Sequence, residues 1–80
     1  MPVLVLFDVP DRQARARLQK SLSRDGFQRV FPNVYEGSDA VVPSLQAAER
    51  EIARLLRGQV YRLRIYKIAR SAPVIERWGS

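Results

Sequence analysis

The sequence predicts an α+β fold in which two helices lie on one face of a small sheet. Three observations carry this: a short strand apolar on both faces at residues 3–8, two amphipathic helix patterns at about 12–25 and 43–57, and a clean period-two alternation at 60–68. Eighty residues have length for one domain, and residues 1–80 read as a single unit without repeats or low-complexity stretches. A domain of this size buries only about 60–65% of the surface its unfolded chain exposes, so its own core is thin.

In the first strand Leu4 and Leu6 share one face with Asp8, while Val3, Val5 and Phe7 share the other. Pro10 stops the strand, and Asp11 is placed as N-cap of a helix running to Asp25. Ala14, Leu18 and Leu22 form its apolar stripe, with Gly26 as the C-terminal stop. Residues 27–30 and 33–36 read as a strand pair interrupted at Pro32, which points to an edge position or a bulge. Gly37-Ser38-Asp39 reads as a turn. The second helix starts near Pro43, sets Leu45, Ala48, Ile52, Leu55 and Leu56 within an arc of about 100°, and stops at Gly58. In the last long strand Tyr61, Leu63 and Ile65 share one face, and Arg62, Arg64 and Tyr66 the other. A short further strand is expected at 74–77, after Pro73. This order is the split βαβ, or ferredoxin-like βαββαβ sandwich, with a short C-terminal strand. Two helices cover only one face of such a sheet, yet the first strand is apolar on both. A homodimer packed sheet to sheet is the simplest cover for the second face.

Composition removes whole classes of chemistry. Cysteine and histidine are both absent. Disulfide staples, zinc fingers, thiol nucleophiles, Ser-His-Asp triads and imidazole bases are excluded together. A cysteine-free chain fits a reducing, cytoplasmic setting. The apolar run at 3–7 is far short of the ~20 residues of a spanning helix, and its flanks do not resemble a signal peptide, so no membrane role is expected. The net charge is +6, and twelve of the fourteen basic residues are Arg, whose fork matches phosphate. A basic, Arg-rich small domain points first to nucleic acid, duplex DNA or RNA.

The first helix carries Arg12, Arg15, Arg17, Lys20 and Arg24 with no acidic residue from Arg12 to Arg24. Arg17, Lys20 and Arg24 fall within about 60° of one another, opposite the apolar stripe. Uncompensated cations repel, and phosphate would neutralise them, which favours nucleic-acid contact over a plain solvated face. The second helix groups Arg50, Arg54 and Arg57, but Glu49 and Glu51 dilute that patch.

Asp8 ends a buried-type strand before a turn into a basic helix. A carboxylate there reads equally as a Mg²⁺ ligand or as an acceptor for turn amides near the helix start. One Asp per chain makes a poor metal site, but in a two-fold dimer two copies of Asp8 could share an ion that relieves their repulsion. Glu36 and Glu76 read as surface acids, Tyr35, Tyr61 and Tyr66 as packing or base-stacking aromatics, and Trp78 as cover for apolar surface.

At this point the chain resembles a known family. Phe7-Asp8-Val9-Pro10-Asp11 after a short apolar strand, then Arg15-x-Arg17-Leu18-x-Lys20-x-Leu22, then Gly26, is similar to the small CRISPR-associated spacer-adaptation endonuclease. Arg29-Val30, Val34-Tyr35-Glu36-Gly37 and Arg64-Ile65-Tyr66 match later blocks of that family in order. The resemblance implies a ferredoxin-like homodimer, a metal-dependent endonuclease on RNA or DNA, and a dimeric hub bound by the CRISPR integrase subunit. It implies that Asp8 is catalytic and the Mg²⁺ ligand from each subunit, flanking a shared cleft. It also implies that Arg15, Arg17, Arg29 and Tyr35 lie around that cleft or serve activity. The family often has Gln-x-Ser where this chain has Phe31-Pro32-Asn33, which changes the local strand and a polar contact. The leading expectation is thus a Mg²⁺-dependent phosphodiesterase of spacer acquisition and antiviral defence. The alternatives are a non-catalytic DNA-binding scaffold for the integrase and, behind both, a toxin-like ribonuclease of the same fold.

Overall fold

The computed structural model describes residues 2–38 and 45–69. In chain order the elements are β1 (Pro2–Asp8), α1 (Arg12–Arg24), β2 (Gln28–Phe31), β3 (Val34–Ser38), α2 (Leu45–Leu55) and β4 (Arg62–Lys67). The expected start of the second helix at Pro43, the Asp39 end of the expected turn and the expected strand at 74–77 lie outside the described residues.

The four strands form one antiparallel sheet in the order β2-β3-β1-β4, compatible with the ferredoxin-like arrangement. The most apolar strand is therefore central, flanked by β3 and β4. Val3, Val5 and Phe7 point to the helix-covered face and are at most 5% exposed, with Tyr35 beside them on β3. Ala14, Leu18 and Leu22 of α1 and Ile52 of α2, with Leu56 just beyond it, close that core, and Leu45, Ala48, Leu55, Leu63 and Ile65 pack at its margin. The expected stripes are the observed ones.

Local chemistry places the helix ends. The Asp11 side chain accepts from the Ala14 backbone N–H at 2.8 Å, capping α1. At the other end the Phe27 N–H donates to Leu22 O at 3.0 Å and the Gly26 N–H to Ser23 O at 3.2 Å. That paired closure is a Schellman motif; it places Gly26 at φ 95°, a conformation glycine adopts without strain. It also folds Phe27 back onto the core beside Leu22.

One local expectation changes. Gly37 and Ser38 are not a turn but the end of β3, paired with Val3 and Pro2. The reason lies above the strand: the Phe27 ring sits so close to Gly37 that an added Cβ would come within 2.8 Å of it. Glycine is there for close approach and not for reversal. Pro32 and Asn33 form the tight connection between β2 and β3; β2 is the sheet edge and its register shifts between Arg29 and Phe31.

Candidate metal and phosphate site

Both helices pack on one face of the sheet, so among the described residues the other face is open. Alternation along β1 sends Leu4, Leu6 and Asp8 to it. On β3, Glu36 lies opposite Leu4 and Val34 opposite Leu6; on β4, Tyr66, Arg64 and Arg62 lie opposite Leu4, Leu6 and Asp8. The centre of this face is apolar, with Leu4, Leu6 and Val34 half-buried and Phe31, opposite Val34, 53% exposed. Its rim is charged.

Asp8 is the last residue of β1 and is exposed. Asp11 supplies the carboxylate that caps α1, and among the described residues no hydrogen bond or ion pair engages the Asp8 side chain. The turn-amide alternative for Asp8 therefore has no bond behind it. A hard oxygen donor left unengaged at a rim suits a divalent cation that takes one or two carboxylates and completes its shell with water and phosphate. A single chain supplies little more: the described residues contain no group of three or more His, Cys, Asp or Glu side chains. Glu36 shares the face but sits opposite Leu4, four residues from Asp8 and about 13 Å along the strand. The donor set fits Mg²⁺ only where a second carboxylate comes from another copy.

The basic residues divide among different surfaces. Arg12, Arg17, Lys20 and Arg24 are exposed on α1, and Arg17, Lys20 and Arg24 point away from a stripe that faces the covered side of the sheet. Helix and sheet thus separate that cation stripe from Asp8 within one chain. Arg15 is half-buried, and its Nη1 donates to Val9 O at 3.2 Å, tying α1 to the segment that leaves Asp8. Arg29 is exposed on edge strand β2, opposite Tyr35 and so directed to the helix side. Tyr35, expected at the cleft, is 3% exposed in the core, its ring 5.9 Å from that of Phe7, on the face opposite Asp8.

What the sheet does bring to Asp8 is β4. Asp8 and Arg62 are direct cross-strand partners, and Leu6, Asp8, Asn33, Val34, Arg62 and Arg64 line one shallow depression. Arg64 Nη1 donates to the Tyr66 hydroxyl at 2.9 Å, which raises the pKa of this exposed guanidinium further above its ordinary value. The alternation of Arg62, Arg64 and Tyr66 was visible in the sequence, but the position of Arg62 and Arg64 near Asp8 depends on register.

Among the described residues no helix is long and apolar enough to cross a membrane. No curated protein matches the chain closely enough to count as a relative. The family model described as CRISPR associated protein Cas2 matches residues 1–72, nearly the full length and all of the sheet just described; the chain belongs to that family, and with it to CRISPR-associated adaptation.

Proposed function

We propose that the protein is a Mg²⁺-dependent phosphodiesterase that works as a homodimer, with its two open sheet faces packed together and an Asp8 from each copy at a shared cleft. The observation that carries this is the Asp8 carboxylate, unengaged among the described residues, at the rim of an apolar sheet face that no described element covers. Leu4, Leu6, Val34 and Phe31 give that face the apolar centre a second copy would bury. When bound, a divalent cation supplies charge neutralisation at the phosphoryl oxygens and activation of water. The chain's own residues would do the rest: Asp8 holds the cation and arginines orient the phosphodiester. The exposed cations of α1 bind nucleic acid, DNA or RNA, by its phosphates, and the integrase subunit of CRISPR adaptation is the expected protein partner.

A second reading, a DNA-presenting scaffold without hydrolysis, draws support from the scarcity of metal donors in the described part of one chain. One comparison separates the two. Wild-type protein and Asp8→Asn are incubated with RNA and duplex DNA, with Mg²⁺ or with chelator. The hydrolase reading expects Mg²⁺-dependent cleavage that drops by orders of magnitude in Asp8→Asn, with duplex affinity within about twofold because α1 supplies it. Absence of Mg²⁺-dependent cleavage by wild-type protein leaves the scaffold. Sedimentation equilibrium tests the dimer; a well-folded species at 9.2 kDa removes the shared site altogether.

A further inference from the structure

A phosphodiesterase centre needs a cation on the non-bridging oxygens of the phosphate it attacks, and the stripe of Arg17, Lys20 and Arg24 lies on the far side of the sheet from Asp8. On the Asp8 side, two guanidinium groups line the depression, Arg62 and Arg64. They are not equivalent. Arg64 is turned along β4 onto the Tyr66 hydroxyl, two residues away. Arg62 has no hydrogen bond or ion pair to its side chain among the described residues, although Asp8 is its direct cross-strand partner. Asp8 ends β1 and Arg62 begins β4, so antiparallel pairing puts both at the same end of the sheet. They lie at the rim, not in the apolar centre that a second copy would cover.

We infer that Arg62 is the phosphate-binding residue of the Asp8 site, holding the non-bridging oxygens of a nucleic-acid phosphodiester beside the carboxylate. This rests on the reading of Asp8 as the cation-holding group. An arginine suits the task because its planar fork engages two phosphate oxygens at once and keeps its charge at any working pH. The two are cross-strand partners that line one depression and form no ion pair, so they can flank one ligand. A plain cross-strand ion pair is the competing role, and no guanidinium nitrogen of Arg62 lies within 4.0 Å of an Asp8 carboxylate oxygen.

The test measures binding apart from cleavage. In the Asp8→Asn background, equilibrium affinity for a labelled duplex DNA and for a single-stranded RNA is followed across salt concentrations. Adding Arg62→Gln is expected to lower the log–log salt slope by about 0.9 for each duplex phosphate lost, or about 0.7 on a single strand. Adding Arg62→Lys is expected to restore most of the slope, and adding Arg64→Gln in place of Arg62→Gln to lower it less, because Arg64 shares the depression but its Nη1 is turned onto Tyr66. With Asp8 intact and Mg²⁺ present, Arg62→Gln alone is expected to slow cleavage by about 10²–10³-fold. Salt slopes that coincide with and without Arg62→Gln overturn the proposal, as does cleavage by Arg62→Gln at the wild-type rate. If wild-type protein does not cleave at all, the reading of Asp8 fails by itself, and the salt slopes still decide whether Arg62 binds phosphate.

Discussion

On the helix-covered face of the sheet, Val3, Val5, Phe7 and Tyr35 are at most 5% exposed; on the other face the intervening Leu4 and Leu6 are only half-buried and Asp8 is exposed. The same strand feeds both faces with side chains of similar apolarity. The difference lies in what stands above them. On one side two stripes arrive from α1 and α2, and Phe27 is folded in by the Gly26 closure. On the other, no described element arrives, and the charged residues gather at the edge: Asp8 and Arg62 at one end, Glu36 toward the other. The helix-covered face holds the chain in its fold, while the other face, uncovered among the described residues, keeps an apolar centre with charged ends.

Three substitutions sharpen that contrast. Leu18→Ala, at a fully buried position of α1, is expected to cost about 3–5 kcal/mol in urea denaturation, because the covered face cannot collapse around the gap. A cost below 1 kcal/mol would mean that the covered face is loosely packed. Gly37→Ala brings a methyl to 2.8 Å from the Phe27 ring, which belongs to the core and has little room to retreat. Overpacking of this kind costs about 1–3 kcal/mol, and the melting temperature should fall accordingly. Leu6→Ser is the counterpart on the open face. Its effect on the fold of one chain is expected to stay under about 1 kcal/mol, since Leu6 is only half-buried there. Its effect on self-association is expected to exceed tenfold in sedimentation, because a dimer would bury that side chain twice. Unchanged association would remove the open face as the interface.

Much of this contrast was legible in the sequence. The six elements, the stripe of α1, the Asp11 cap and the alternation of 61–66 all follow from patterns local to a few turns. The half-burial of Arg15 was legible too: at 100° per residue it falls only about 20° from Leu22, beside the apolar stripe. What escaped is what depends on distant pairing. Gly37-Ser38 reads as a turn because glycine is poor in strands, and only Phe27 overhead and Val3 alongside make it one. Asp8 could be recognised as unusual, but its neighbour could not. Arg62 comes to it through the register of two strands far apart in the chain, and a shift of one residue would have sent it to the helices.

The sheet order has a consequence for how the molecule is made. β1 is the earliest described strand, yet it lies inside the sheet, hydrogen-bonded on both edges by strands translated later, and on one edge by the last described strand of all. During synthesis its Val-Leu-Val-Leu-Phe run is made before either neighbour. Until β3 and β4 arrive its backbone hydrogen bonds have no strand partner, and its helix-side residues are fully covered only once α2 has also been made. Once they arrive, sheet and core form together, with much of the contact energy held in pairings between distant parts of the chain.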